Sequence, residues 1–245
     1  MSEPMYISVV IPAYNEAGAI SETINKLTEY FINKPYVFEF IIVNDCSTDQ
    51  TADLVKSLSA GKPFIRLINN QSNLGEGFSV KSGVLAARGK YILFKDADLS
   101  TPLVELEEML LLLADGYDLV IGSRTLAGSR LLIKQHWLRQ SMGKIFNIFV
   151  KLLVFNGIND TQCGFKCFKR ETALKIFSLQ RLNSFCFDVE ILYIAKKLGV
   201  KIKEIPVSWS NRRNSRVRIC RDSLKMLGDL FRIKINQLLG RYNEA

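Results

Sequence analysis

The chain is built of short apolar runs that each stop at a polar turn, and that repeat leaves few folds open. Ile7-Ser8-Val9-Val10-Ile11 stops at Pro12-Ala13-Tyr14-Asn15-Glu16, and Phe38-Glu39-Phe40-Ile41-Ile42-Val43 stops at Asn44-Asp45-Cys46-Ser47-Thr48-Asp49. Each run is bounded by turn formers and followed by a helical pattern, which reads as a βα unit. Ile65-Arg66-Leu67-Ile68 leads through a polar, Gly-containing turn ending at Gly75-Glu76-Gly77 into a helical stretch over residues 78–88. Tyr91-Ile92-Leu93-Phe94 ends at Lys95-Asp96-Ala97-Asp98-Leu99-Ser100, and Asp118-Leu119-Val120-Ile121 ends at Gly122-Ser123-Arg124. Strands alternating with helices predict an α/β fold, a Rossmann-like, mostly parallel sheet flanked by helices. Ligands of such sheets bind outside the carboxyl ends of the strands, and all of these polar turns fall on that edge.

Asp96 and Asp98 stand one residue apart at one of those ends. An isolated Asp-x-Asp is usually a pair of solvated loop charges; its place beside the other turns marks this one as a divalent-metal site. Asp98 is the expected primary ligand, with Asp96 helping through the metal or the ribose. Hard oxygen donors suit Mg²⁺ or Mn²⁺.

Val10-Ile11-Pro12-Ala13-Tyr14-Asn15-Glu16, the turn at residues 44–49, Asn73-Leu74-Gly75 and Asp96-Ala97-Asp98 resemble the nucleotide-sugar-binding half of family 2 glycosyltransferases, which have the GT-A fold. Asp160-Thr161-Gln162-Cys163-Gly164-Phe165-Lys166 and Phe187-Asp188-Val189-Glu190 resemble a narrower branch, the dolichyl-phosphate glucosyltransferases and their polyprenyl-phosphate relatives. The resemblance runs from about Ile7 to about Trp209. It implies an inverting, metal-dependent transfer of a hexose, most simply glucose from UDP-glucose, to a polyprenyl or dolichyl phosphate. It also implies that Pro12, Tyr14, Glu16, Gly75 and Ala97 line the nucleotide-sugar pocket with the acidic pair, and that Asp45 hydrogen-bonds the base. This chain departs from the pattern at Asn44, often Asp, at Cys46, usually Gly, and at Glu76, commonly Lys, so Glu76 is not counted as a site residue. Ser100 stands where related lipid-phosphate mannosyltransferases have a metal-binding Gln.

A lipid phosphate is already an anion, so positioning and charge neutralisation carry most of the rate. Arginine, with its planar fork, is suited to clamp it; Arg124 beside Ser123 and Arg139 are assigned that role, with Arg130 as a third. Asp160 and Gln162 are expected to bond sugar hydroxyls or the acceptor, and Gly164 to be a backbone requirement. Asp188 and Glu190 lie where hydroxyl-acceptor relatives place a base. Two other readings stay open: a family 2 enzyme acting on a hydroxyl of a glycan or protein, with Asp188 as base, and a non-catalytic nucleotide-sugar-binding protein.

The net charge of +9 in 245 residues needs a partner. It concentrates over residues 130–151 and 212–234, both drawn as helices with an apolar stripe and a basic face, the pattern of an element lying on an anionic membrane surface. No recognised motif supports nucleic acid as the partner. No window holds the roughly 18 uncharged apolar residues of a membrane span, and no signal peptide is read at the N-terminus. A peripheral enzyme on the cytoplasmic face of a membrane is expected, with a membrane-embedded partner subunit left open. The five cysteines and single His136 show no metal spacing and are expected as reduced thiols. Residues 1–210 are read as the GT-A domain and 211–245 as a basic helical extension packed on or beside it.

Overall fold

The computed structural model describes residues 4–133, 137–210 and 219–243, without the side chains of residues 137–140 and 219–224. Strands β1 (Ile7–Ala13), β2 (Phe38–Asn44), β3 (Ile65–Asn69) and β4 (Tyr91–Lys95) alternate with helices α1 (Ile20–Ile32), α2 (Thr51–Ser59) and α3 (Glu76–Ala86). Then follow α4 (Glu105–Ala114), β5 (Leu119–Ser123), β6 (Arg130–Ile133) and α5 (Trp137–Leu153). The chain ends with β7 (Phe165–Lys169), α6 (Arg170–Leu179), α7 (Phe187–Lys197), β8 (Ile202–Pro206), β9 (Ser208–Ser210) and α8 (Ile219–Leu238).

Seven strands form one sheet in the order β3-β2-β1-β4-β7-β5-β8. Only β7 runs against its neighbours, pairing antiparallel with β4 and β5. The sheet is covered on both faces, so its central strands read as continuous apolar runs rather than alternating ones. Their side chains still alternate between two cores: Val9 and Ile11 join one cluster with α1 and α4, while Val10 joins the other with α3, α6 and α7. In α1 the apolar positions Ile20, Ile24, Leu27 and Phe31 fall on one face and are buried against the sheet.

Two expectations change here. The segment from Arg130 is not one helix: Arg130 to Ile133 form a strand paired in parallel with β9, exposed along its length, and the helix begins at Trp137. Phe146 is 8% exposed and belongs to the core. Along α5 it is Ile145, Ile148, Phe149 and Leu152 that face outward. Likewise α8 buries Met226, Leu230 and Ile233 in the same cluster as α5 and α7 while Phe231, Ile235 and Leu238 stay exposed.

Candidate active site

The turns beyond β1 and β2 are stitched to each other before they can meet a ligand. Asn15 adopts a positive φ of 53° and its side chain accepts from Thr48 N at 2.7 Å, while its own N–H bonds Ser47 Oγ at 2.8 Å. Glu16 N–H bonds Thr51 Oγ1 at 2.7 Å. Cys46 has a φ of 58°, the left-handed region that favours glycine, which accounts for the glycine usual there. Asp45, 3% exposed, accepts from Asn70 Nδ2 (2.7 Å), Leu74 N (2.9 Å) and Gly75 N (2.8 Å), so its carboxylate holds the loop that opens α3. Gly75 has a φ of 98°, and a Cβ there would run into the Asn183 carbonyl.

The acidic pair is braced from beneath. Lys95, 1% exposed at the end of β4, donates to the Asp98 carbonyl at 2.5 Å and draws the turn over its ammonium. Asp98 accepts from Ser100 through both oxygens, Oδ1 from N–H at 2.9 Å and Oδ2 from Oγ at 2.6 Å. Ser100 therefore orients Asp98 and is itself nearly buried, 4% exposed. Asp96 packs face-on against Gly164, where any Cβ would overlap its carboxylate oxygens, and Asp96 N bonds the Gly164 carbonyl at 3.1 Å. Burial and the neighbouring Asp98 push the Asp96 carboxyl up to about 7, with Asp188 adding and Lys95 and Lys166 opposing.

Behind this pair lie two ion pairs. Lys166 on β7, fully buried, donates to Asp188 Oδ1 and to the Cys163 carbonyl, both at 2.6 Å. Burial raises the Asp188 carboxyl despite the Lys166 charge. Arg124 forms a two-pronged bridge to Asp160, Nε to Oδ2 at 2.7 Å and an Nη to Oδ1 at 2.9 Å, with its backbone N–H on Oδ2 as well. Burial works against the guanidinium charge, but Asp160 more than offsets it and holds its pKa above the usual arginine range. The same charge keeps Asp160 below the usual carboxylate range although burial opposes it. The guanidinium also lies over the Trp209 ring at 5.5 Å.

A cavity of about 420 Å³ opens over the ends of β1, β2 and β4. Pro12, Tyr14, Asp45, Gly75, Asp96, Ala97 and Asp98 line it, seven of the residues expected there. Glu16 does not line it, and Ser123, Arg124, Arg130, Asp160, Gln162 and Asp188 lie off it. Ser123 is fully buried with its hydroxyl toward Thr125 Oγ1, where it supports its loop. Asp188 is ion-paired with Lys166; Glu190 accepts from Arg181 N, Leu182 N and Tyr242 hydroxyl and ties the C-terminal segment to α7. Arg130 sits exposed on β6, and the Arg139 side chain lies outside the described residues.

Seven lining residues, Glu76, Ser79, Ser184, Phe185, Lys225, Met226 and Asp229, were not among the expected site residues. Glu76, at the first position of α3, is on the wall, its carboxyl raised by burial, then by Asp96 and Asp188. Lys225, Met226 and Asp229 come from α8, one turn of helix facing the cavity. Glu76 was discounted for the cation it replaces; the α8 residues carry no local signal, because only tertiary packing brings them to strand ends more than a hundred residues away.

A divalent cation fits this chemistry. Asp96 and Asp98 are hard donors whose mutual repulsion a cation would relieve. Among the described residues no group of three His, Cys, Asp or Glu side chains is arranged to hold a metal alone. Mg²⁺ and Mn²⁺ sites in phosphate-transferring enzymes commonly use one or two carboxylates with water and substrate phosphates.

A mostly parallel sheet with one reversed strand, and an acidic pair facing a cavity over its carboxyl edge, define the protein as a GT-A glycosyltransferase. The chain matches the family model of glycosyl transferase family 2 over residues 8–177 and belongs to that family. It is 38% identical to a dolichyl-phosphate beta-glucosyltransferase from Dictyostelium discoideum over 96% of this chain and 76% of that one. Mannosyl-3-phosphoglycerate synthase from Rubrobacter xylanophilus superposes with a TM-score of 0.69 at 17% identity, covering 98% of this chain and 76% of that one. Glucosyl-3-phosphoglycerate synthase from Mycobacterium tuberculosis, crystallised with Mn²⁺, UDP-glucose and phosphoglyceric acid, gives 0.65 at 21% identity, covering 98% and 81%.

Proposed function

We propose that the protein transfers glucose from UDP-glucose to dolichyl phosphate or a related polyprenyl phosphate, with inversion at the anomeric carbon, at a membrane surface. The observation that carries this reading is the Asp96/Asp98 pair facing a strand-end cavity in a chain 38% identical to a dolichyl-phosphate beta-glucosyltransferase. An acceptor phosphate oxygen attacks the anomeric carbon as the bond to the diphosphate oxygen breaks, and UDP leaves with the electron pair. No proton has to be removed from the acceptor, so no general base is required. Asp96 and Asp98 would hold Mg²⁺ or Mn²⁺, which supplies positive charge to the departing diphosphate. Lys95 and Ser100 keep that pair in place, and the Asp45-braced loop shapes the nucleotide end. Arg124, fixed by Asp160 and Trp209, is proposed as the acceptor-phosphate clamp through its remaining N–H groups. The hydroxyl-acceptor alternative gains no support, since the base it would need is ion-paired with Lys166.

Incubating the protein with labelled UDP-glucose, Mn²⁺ and a short polyprenyl phosphate in detergent tests this directly. Metal-dependent label should appear in the organic phase; its absence, with label instead on a glycan or peptide hydroxyl, would reject the lipid acceptor.

Membrane docking is proposed through the outward apolar side chains of α5 and α8, which pack on each other. Leu152 is 75% and Leu238 76% exposed, with Lys144 and Lys151 exposed on the same helix as Leu152. No helix among the described residues is long and apolar enough to cross a bilayer, so attachment would be from the surface. Basic side chains near an anionic surface contribute roughly 1 kcal/mol each. Reversing both charges (Lys144→Glu with Lys151→Glu) should therefore weaken sedimentation with phosphatidylserine vesicles by at least about tenfold. Unchanged sedimentation would return α5 to an ordinary solvent-facing helix.

A further inference from the structure

We propose that Lys225 on α8 is a phosphate-contacting residue of the active site, so that α8 completes the substrate pocket as well as facing outward. This rests on the glycosyl-transfer reading above. The cavity is lined by five carboxylates, those of Asp45, Glu76, Asp96, Asp98 and Asp229, and among its lining residues Lys225 is the single cation. A phosphorylated substrate entering that space would find Lys225 as the one cationic side chain on the wall itself.

The α8 carboxylate on the cavity wall is already committed. Asp229, one turn further along the helix, is 2% exposed and accepts the Ser184 hydroxyl on Oδ2 and the Arg232 guanidinium on Oδ1 at 3.1 Å. Among the described residues none forms an ion pair with Lys225, whose side chain remains exposed at the cavity. The helix is set firmly enough to aim it. Met226 and Leu230 are buried beside it, and the Asp229–Ser184 bond locks α8 to the segment that puts Ser184 and Phe185 on the same wall. A lysine on a rigid helix with a flexible four-carbon stem is suited to follow a phosphate as a point charge. That phosphate belongs either to the donor diphosphate or to the lipid acceptor.

Isothermal titration of the full chain with UDP in the presence of Mn²⁺, alongside steady-state transfer to polyprenyl phosphate, separates the two. For Lys225→Met we expect roughly tenfold weaker UDP binding, the scale of one charge-assisted hydrogen bond. Lys225→Arg should restore it, and Lys234→Met, an exposed α8 lysine off the cavity, should leave it unchanged. Thermal melting should be the same for all, because the Lys225 ammonium is exposed. Unchanged UDP affinity with a tenfold higher KM for polyprenyl phosphate would place the contact at the acceptor phosphate instead. If neither quantity changes in Lys225→Met, or both Met variants lose affinity equally, the assignment is overturned while the glycosyl-transfer reading stands. A wild-type protein that neither binds UDP nor transfers glucose would overturn both.

Discussion

Asp98→Asn should reduce glucosyl transfer by at least about 10³-fold without unfolding the protein. The substitution keeps the side chain's shape, and the Ser100 N–H can still bond its oxygen, so the turn that Lys95 draws over its ammonium survives. What is removed is one of the two charges facing the position of the leaving diphosphate. Losing a preorganised group that stabilises transition-state charge costs about 10²–10³-fold even for a single neutral donor, and a full charge at a metal site costs more. Transfer measured under saturating Mn²⁺, with a melting curve as control, decides it: a near-normal rate would remove Asp98 from the chemistry. The proton on Asp96 gives a companion test. Its carboxyl titrates at about 7 in the metal-free protein, so below that pH a proton occupies the place where a cation would sit. Mn²⁺-dependent UDP affinity should rise with pH up to about 7 and then level off, and Asp96→Asn should flatten that profile. The sign for stability is opposite. A pKa raised on folding gives stability that is present at low pH and lost as pH rises through about 7 in the metal-free protein.

The strand-end architecture was legible because each piece of it is local. An apolar run, its stop at Pro12 or Asn44, and the helix that follows all lie within some thirty residues, and the parallel order follows from their alternation. The reversed strand β7 was not legible. Phe165-Lys166-Cys167-Phe168-Lys169 is five residues long, and its slot between β4 and β5 is chosen by partners 45 to 78 positions away. The strand at Arg130 was missed for the same reason: Leu131-Leu132-Ile133 reads equally as a helix face until Trp209 pairs beside it. Within the site, residue type could not separate what touches ligand from what holds the frame. Asn15, Ser47, Thr48 and Thr51 sit in the same turns as Tyr14 and Asp45, yet they spend their hydrogen bonds joining two loops. Gly164 could be read as a backbone requirement, but that its missing Cβ makes room for Asp96 is visible only once β7 lies beside β4.

Lys166→Met should lower stability by about 3–5 kcal/mol, the usual cost of stripping one partner from a buried ion pair. For a domain of this size that corresponds to a fall in Tm of roughly 6–20 °C. The lysine is fully buried, it bonds Asp188 and the Cys163 carbonyl, and its ammonium lies 5.7 Å from the Phe94 ring centre. Removing it leaves Asp188 buried with no counter-charge and strengthens the negative field on Asp96 and Glu76. Pairing the change with Asp188→Leu should recover much of the loss, because the uncompensated charge disappears with it. The double variant also weighs the two acceptor chemistries against each other. If Asp188 were the base for a hydroxyl acceptor, transfer would stay abolished even in a refolded double variant. If Asp188 serves only to anchor β7 against α7, the double variant should regain transfer to polyprenyl phosphate as it regains stability. A single variant with an unchanged Tm would mean that water reaches the pair and that the charges behind the acidic motif are screened rather than buried.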